Sequence, residues 1–227
     1  MNRIELTPEA CARLLPELGN LNLQIHPLKG GITNKLYRVI SKEGHDYVFR
    51  LHGAKTELFI DRDGEAENLR RLEPLGFTPK LIKYLPEVNI TVVEFIHGTA
   101  IKNRDFLRED LWEFIIRPIK LVHQSGIVLP LRFDPLVEVK RLYKILQEIN
   151  SNYPEFEIER TIQIMEQISQ SAGILPLWYV SCHNDLLADN FILVSDRSKY
   201  KEPMCLTSIM RENGIFYSES LINAELV

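Results

Sequence analysis

A short polar segment between two apolar runs is the feature that most constrains this chain. Leu177–Val180 precede the segment and Phe191–Val194 follow it, a pattern that predicts two strands joined by a polar connection. His183, Asp185 and Asn190 lie in that connection. An ordinary turn explains such residues, because Asn and Asp side chains cap their own backbone. A catalytic loop on a rigid support is the alternative, and the segment taken alone favours the turn.

The spacing of these polar residues fits one kind of chemistry. Asp185 and Asn190 are five residues apart, and His183 lies two residues before the aspartate. Loops for phosphoryl transfer have this spacing: the carboxylate accepts the proton of the attacking hydroxyl and the amide binds a metal ion. Such transfer depends mainly on positioned groups, so one base and one metal site would supply most of the chemistry.

A Gly-Gly turn near the N-terminus is a candidate phosphate contact. Residues 23–29 and 35–41 read as strands, and Gly30-Gly31-Ile32-Thr33-Asn34 joins them. Because glycine has no Cβ atom, its backbone can lie directly against a phosphate. An ordinary tight hairpin turn is the alternative interpretation.

A cation on a strand and an acid on the next helix form a second candidate pair. Arg50 lies among the apolar residues of a predicted strand, 47–51, and Glu65 begins a helix predicted to run to about residue 75 with Asp63 as its N-cap. Such a pair can position nucleotide phosphates, here with the planar fork of arginine. An exposed ion pair of small energetic value is the alternative.

The strand predicted over 90–96 runs into a connection that ends at Gly98. An apolar strand that ends in this way suits a hinge between two lobes, whose backbone can hydrogen-bond an adenine edge. An edge strand followed by a turn is the alternative.

The rest of the chain predicts helices and a two-lobed α+β architecture. Helices are expected over 8–18, 106–124, from Asp134 to about 149, and over 155–170. Their apolar stripes are interpreted as core, with these inward positions in the last two helices: Leu136, Val139, Leu142, Leu146, Ile149, Ile158, Ile162, Met165 and Ile168. We therefore predict an N-terminal antiparallel-sheet lobe (1–97), a helical lobe with the catalytic loop (98–206) and an atypical tail (207–227).

Composition excludes several function classes. The 227 residues carry a net charge of −4, which offers no general attraction for nucleic acid or anionic lipid. No apolar run approaches the ~20 residues needed to span a bilayer, and the first ten residues lack the apolar core of a signal peptide. The three cysteines are odd in number and unpatterned, which predicts a reducing, cytoplasmic location.

Several segments, taken together and in order, resemble the choline/ethanolamine kinase family within the wider aminoglycoside-phosphotransferase-like group. They are GGITNKLYRV (30–39), YVFRLHG (47–53), IDRDGEAENLRRLEPLGFTPKLI (60–82), VVEFIHG (92–98) and HNDLLADN (183–190). The chain is most similar to the bacterial choline-kinase branch, over roughly residues 20–195. The resemblance implies a protein-kinase-like bilobal fold, ATP and Mg²⁺, and transfer of the γ-phosphate to the hydroxyl of choline or a similar small alcohol.

The resemblance also implies roles for individual residues. Eight are expected at the nucleotide: Gly30, Gly31, Thr33, Asn34, Arg50, Glu65, Glu94 and Ile96. The first four would form the phosphate loop, the next two the phosphate cation and its partner, and the last two the adenine hinge. Asp185 would be the catalytic base, with His183 beside it in the catalytic loop, and Asn190 a metal ligand.

The chain departs from the family after the catalytic loop. The family continues with an Ile-Asp-Trp/Tyr-Glu segment whose aspartate is the main metal ligand, whereas Ser208 falls on that position here. A neutral hydroxyl cannot replace a carboxylate on a hard dication. The helical lobe is therefore expected to be incomplete, which argues against activity of these 227 residues. Two alternatives stay open: an inactive truncated fragment, or a kinase for another small alcohol (ethanolamine, thiamine or an aminoglycoside). Oligomeric state is not predicted.

A shifted reading frame would account for this departure. If residues 207–211 are encoded ACA-TCG-ATT-ATG-AG, reading one base earlier gives ATC-GAT-TAT-GAG, which is Ile-Asp-Tyr-Glu. We hypothesise that residues after about Leu206 come from such a shift. The codons of the gene test this, because synonymous codons that yield no Ile-Asp in the alternate frame would rule it out.

Overall fold

The computed structural model describes most of the chain. The described residues are 6–19, 22–28, 34–54, 56, 60–130, 133–149, 157–172, 179–194, 204–207 and 216–219, the last two as backbone only. The predicted phosphate-loop residues Gly30, Gly31 and Thr33 lie outside these ranges, as does Ser208.

The first helix is shorter than predicted. Helix α1 spans Pro8–Leu14, with Thr7 as its N-cap as expected. It ends before Pro16 because a proline has no N–H group to donate and restricts the residue before it. Leu15 accordingly leaves the helical region (φ −136°, ψ 88°), and a short 3₁₀ turn, Pro16–Leu18, follows. The prediction of one helix over 8–18 is therefore wrong in its second half.

A five-stranded antiparallel sheet dominates the first half of the chain, as predicted. Its strands are β1 (Gln24–Leu28), β2 (Lys35–Ile40), β3 (Asp46–Leu51), β4 (Leu81–Leu85) and β5 (Ile90–Glu94). They lie side by side in the order β1-β2-β3-β5-β4. Arg50 is in the central strand, opposite Leu36 of β2 and Thr91 of β5.

Helix α2 begins earlier than predicted. It spans Arg62–Leu72, and its N-cap is Asp61, whose side chain accepts a hydrogen bond from Gly64 N at 2.9 Å. The predicted N-cap, Asp63, is inside the helix and instead accepts a hydrogen bond from the Tyr84 hydroxyl at 2.8 Å. This correction places Glu65 in the first turn of the helix, close to the chain that enters it.

Three longer helices follow in the second half. They are α3 (Glu109–Gln124), which continues through Pro118, α4 (Pro135–Glu148), which Asp134 caps as predicted, and α5 (Ile158–Ala172). Within the described residues, no helix combines the length and the apolar character needed to cross a membrane.

Two of the predicted inward positions in these helices are wrong. Ile149 is 57% exposed and Ile168 is 62% exposed, and Val137 and Ile164 are exposed as well. No residue of α4 is fully buried. An apolar stripe shows which face of a helix could be covered, and it cannot show that another element covers it along its whole length.

Short strands carry the catalytic-loop segment. Strand β6 (Thr99–Ala100) pairs with β8 (Phe191–Val194), and β8 pairs with β9 (Met204–Thr207). Strand β7 (Tyr179–Cys182) precedes the loop and pairs with β10 (Phe216–Glu219), a strand that the sequence did not predict. The loop is therefore held between β7 and β8, as expected.

One apolar core joins the two halves of the chain. Its buried members are Val48, Leu69, Leu72, Phe77 and Val93 from the first half, with Val122, Leu129 and Val194 from the second. Two hydrogen bonds reinforce it: Arg71 Nη1 donates to Val128 O at 2.6 Å, and the Ser181 hydroxyl donates to Ile127 O. Helix α2 and the catalytic strands are thus packed into one body.

Gly98 lies where the chain crosses from β5 to the catalytic strands. A Cβ atom there would come within 2.5 Å of Ile192 Cγ2 and 2.6 Å of Leu193 O. The second of these atoms is backbone, which cannot turn aside. The residue must therefore be glycine for the hinge to lie against β8.

Gly98→Ala is expected to lower the free energy of unfolding by about 2–3 kcal/mol, because the added methyl group overpacks against a strand. Gly76→Ala is the matched control, since Gly76 has φ +74° and open space around it. That control should lose only about 1 kcal/mol from backbone strain. Urea denaturation of both variants measures the difference, and equal losses would contradict the close approach.

Candidate active site

Asn190 closes the catalytic loop on itself. Its side chain is 1% exposed, and its Nδ2 donates a hydrogen bond to the backbone oxygen of Asp185 at 2.9 Å. Because that carbonyl can only accept, the amide nitrogen must face it and Oδ1 must point elsewhere. Oδ1 is buried and has no hydrogen-bond partner within the described part of the chain. The five-residue spacing thus lets Asn190 close the turn with Nδ2 and leaves its Oδ1 unused by the described residues.

His183 supports the loop from behind. Its Nδ1 accepts a hydrogen bond from Asp185 N at 3.2 Å, and its ring stacks on Phe191 with centroids 6.3 Å apart. Burial lowers the pKa of His183, and the nearby Asp185 carboxylate only partly opposes this. The ring is therefore neutral with its proton on Nε2. These contacts hold His183 against the loop, while the side chain of Asp185 is half-buried.

The loop presents one oxygen of the kind that a magnesium ion takes as a ligand. Hard dications take oxygen ligands, and the buried Oδ1 of Asn190 is such an oxygen without a partner among the described residues. Among those residues, no group of three or more His, Cys, Asp or Glu side chains comes together to hold a metal ion. The position at which the resemblance expects a second carboxylate is Ser208, which the structure does not describe.

Arg50 and Glu65 form the predicted pair, and the pair is buried. Arg50 Nη1 is 4.0 Å from Glu65 Oε1, and the two side chains are 4% and 9% exposed. The alternative of an exposed ion pair is therefore wrong. Two residues on the facing elements are buried with them, Asn34 just before β2 and Asn68 on α2.

Arg62 is a site residue that sequence reasoning missed. Its Nη1 donates to Glu65 Oε2 at 2.7 Å, and its Nη2 donates to Thr56 Oγ1 at 3.1 Å and to Asn34 Oδ1 at 3.4 Å. The late start predicted for α2 had placed Arg62 outside the helix. Two signals point to it: the i,i+3 spacing to Glu65, and a cation at a helix N-terminus, where the macrodipole disfavours positive charge.

The predicted hinge is braced by its neighbours. Glu94 N donates to Lys80 O and Phe95 N donates to Asp46 O, both at 2.9 Å. Those two N–H groups are therefore engaged within the sheet, so an adenine edge would meet Ile96 or the carbonyl groups.

Arg38 packs behind this hinge. Its guanidinium lies 3.8 Å from the centre of the Phe95 ring and makes two hydrogen bonds to Asp46, at 2.8 and 2.6 Å. His97 Nε2 lies 2.8 Å from the same carboxylate. This cluster fixes the course of the chain between β5 and Gly98.

His52 lies beside the two arginines and stays uncharged. Burial, with Arg62 and Arg50 nearby, lowers the pKa of His52 to about 3. Its Nε2 is 3.0 Å from Thr91 Oγ1, a hydrogen bond that a neutral ring can make. The charge of this region therefore comes from the arginines and Glu65.

A profile of the choline/ethanolamine kinase family matches residues 25–208, a span that contains the Arg50–Glu65 pair and the catalytic loop. The chain belongs to the choline/ethanolamine kinase family. The family predicted from the sequence segments is confirmed.

The relatives of this chain include proteins named as ethanolamine kinases. Ethanolamine kinase 2 of Mus musculus is 30% identical over 181 residues, which cover 75% of this chain and 46% of that relative. The probable ethanolamine kinase of Nematostella vectensis is 43% identical over 203 residues, which cover 80% of this chain and 55% of that relative. The chain thus spans about half the length of the curated relatives it matches.

Two solved structures of LicA share the fold of this family member, the first of them choline kinase LicA from Streptococcus pneumoniae. One has a TM-score of 0.72 at 21% identity and covers 93% of this chain and 69% of its own. Another, a LicA complex with AMP, has a TM-score of 0.69 at 19% identity, covering 93% and 70%. These likenesses confirm the predicted α+β, bilobal, kinase-like fold.

The depressed pKa of His52 predicts that acid destabilises this kinase-family chain. The folded state binds no proton at His52 until about pH 3, whereas the unfolded state binds one below about pH 6.5. Its contribution to stability is therefore complete above pH 6.5 and is lost as the pH falls. Between pH 7 and pH 5 the loss from this group should be about 2 kcal/mol.

Urea denaturation at both pH values, with wild type and His52→Gln, measures this contribution. Over the same pH interval, the free energy of unfolding of the variant should fall by about 2 kcal/mol less than that of wild type. An identical pH dependence in the two proteins would show that His52 does not titrate as described.

Proposed function

We propose that this chain carries the machinery to transfer the γ-phosphate of ATP to the hydroxyl of a small amino alcohol such as ethanolamine or choline. The observation that carries the proposal is the double role of Asn190, which binds the backbone of Asp185 and keeps a buried oxygen for a cation. Membership of the choline/ethanolamine kinase family supports the same reaction class.

Asp185 is the proposed base. Hydrogen bonds to His183 and Asn190 fix the Asp185 backbone. The position of the half-buried carboxylate is thereby restricted, which suits a base that accepts the proton of the substrate hydroxyl. Mg²⁺, bound through Asn190 Oδ1, would offset the negative charge of the transferring phosphoryl group. Arg50 is the proposed phosphate cation, and the chain near Ile96 is the proposed adenine contact.

The amino-alcohol class is supported by the relatives rather than by a described pocket. The relatives reported above are named ethanolamine kinases, whereas LicA is named a choline kinase. The sequence resemblance favours choline, so both alcohols belong in the first assay. Thiamine and an aminoglycoside follow as the alternatives that the sequence left open.

The predicted domain division and location complete the proposal. Residues 1–97 would hold the nucleotide, 98–206 would supply the catalytic loop, and 207–227 would be an atypical tail. A reducing cytoplasm supplies ATP and suits buried thiols such as those of Cys11 and Cys182, which form no disulfide.

A second candidate function is nucleotide binding without transfer. The observation in its favour is that the described residues bring together no cluster of acidic or imidazole ligands for a metal ion. Ser208, at the position of the family's metal-binding aspartate, points the same way. Binding and transfer are therefore measured separately.

ADP release by the purified chain, with ATP, Mg²⁺ and each alcohol in turn, tests transfer. Asp185→Asn should lower kcat about a thousandfold, because a positioned general base contributes roughly 10²–10⁴-fold, and should leave nucleotide affinity unchanged. Asp110→Asn is the matched control, since Asp110 is exposed and pairs with Arg108. Equal ADP release by wild type and Asp185→Asn would contradict the proposal. Nucleotide binding with no alcohol-dependent ADP release would favour the second candidate.

A further inference from the structure

We propose that Arg62 is a positioning residue for the nucleotide phosphates: it holds Glu65 and Asn34 so that Arg50 stays directed at the phosphates. This inference rests on the proposed ATP-binding function and extends it to a residue outside the predicted site.

Glu65 is shared unequally by two arginines. Its Oε2 lies 2.7 Å from Arg62 Nη1, the length of a charge-assisted hydrogen bond. Its Oε1 lies 4.0 Å from Arg50 Nη1, too far for a hydrogen bond. Arg62 is therefore the tight partner of the helix carboxylate, and the contact with Arg50 is the looser of the two.

The trio of Arg50, Arg62 and Glu65 is buried with an excess of positive charge. The three residues are 4%, 8% and 7% exposed, and both guanidinium groups contact the carboxylate of Glu65. Neighbouring His52 does not add to this charge, because it is neutral. A buried excess charge is costly unless an opposite charge offsets it, so the trio favours an anionic ligand.

Unused donors in the same cluster specify the ligand further. Arg62 Nε and Asn34 Nδ2 are both buried and have no acceptor within the described residues. The orientation of the Asn34 amide is fixed, because its Oδ1 accepts from Gly53 N at 3.3 Å and from Arg62 Nη2. Donors without acceptors beside excess positive charge match a ligand rich in anionic oxygens, which is the chemistry of a polyphosphate.

Arg62 also ties three segments together. It reaches Asn34 before β2, Thr56 after β3 and Glu65 on α2. Without Arg62, Glu65 Oε2 would lose its partner and the carboxylate would close on Arg50. Arg50 would then be neutralised by Glu65 in place of a phosphate.

Calorimetric titration of the full chain with ATP, ADP and AMP, in the presence of Mg²⁺, tests the inference. In Arg62→Gln the affinity for ATP should fall about tenfold more than the affinity for AMP, a change of ~1.4 kcal/mol in the preference for the longer phosphate chain. The preference of Arg62→Lys for ATP over AMP should lie between that of Arg62→Gln and that of wild type. Lysine retains the charge and can meet Glu65, and it lacks the fork that also reaches Asn34 and Thr56.

Arg70→Gln is the matched control. Arg70 is on the same helix and pairs with Glu67 at a separation of three residues, as Arg62 pairs with Glu65, but its side chain is 53% exposed. This control should bind all three nucleotides like wild type. Thr56→Val is a milder second variant, because it removes one acceptor of Arg62 and keeps all charges, and it should shift the ATP-to-AMP preference in the same direction. Circular dichroism establishes that each variant is folded; if Arg62→Gln is not, Arg62→Lys and Thr56→Val decide.

The outcomes separate the inference from the function on which it rests. If wild type binds none of the nucleotides, the proposed function and the inference both fail. If wild type binds ATP and the folded variants lose affinity for ATP and AMP equally, or lose none, only the role of Arg62 is overturned. A selective loss for the longer phosphate chain supports it.

Discussion

The hydrogen bond from the Asn190 amide to the backbone of Asp185 is the interaction on which the catalytic segment depends. It closes the turn through Nδ2 and leaves Oδ1 buried without a hydrogen-bond partner among the described residues. The two interpretations of the sequence, turn or catalytic loop, therefore do not exclude each other. A substitution at Asn190 would remove a fold contact and a ligand atom together, so its kinetic effect alone could not assign a role.

The proposed site has two walls, the catalytic loop and the N-terminal part of α2, and the shared core connects them. Leu69 and Leu72 of α2 pack in the same cluster as Val194, four residues beyond Asn190. Arg71 on the same helix bonds the chain at Val128, while Ser181 of β7 bonds its neighbour Ile127. The helix that carries Arg62 and Glu65 and the strand that leads to Asp185 are thus attached to one connecting segment. The apolar core and these two hydrogen bonds together connect the charged groups of the two walls.

Local sequence patterns predicted much of this fold, and the predictions that were wrong have physical explanations. Thr7 and Asp134 were correct N-caps because each stands alone before an apolar helical stripe. Asp61 and Asp63 compete for the same role two residues apart, and only the backbone decides between them. Arg62 was missed because α2 was predicted to start too late, and because its partners before β2 and after β3 are distant from it along the chain or lie outside any regular pattern. Ile149 and Ile168 were misjudged because coverage of a helix depends on elements distant in sequence.

Charge balance across the site indicates which ligand would satisfy both walls. The wall on α2 has an excess of positive charge, whereas the loop wall offers the Asp185 carboxylate and the Asn190 oxygen. A metal ion bound to a polyphosphate supplies an anion to the first wall and a cation to the second. In the proposed correspondence with the family pattern, Ser208 stands in the sequence where the family has a metal-binding aspartate. We propose that the cation would then be held less strongly than the phosphates, because two buried donors near α2, Arg62 Nε and Asn34 Nδ2, have no acceptor among the described residues. On that proposal, recognition of the phosphates near α2 does not require a complete metal site, and nucleotide binding can persist where transfer does not.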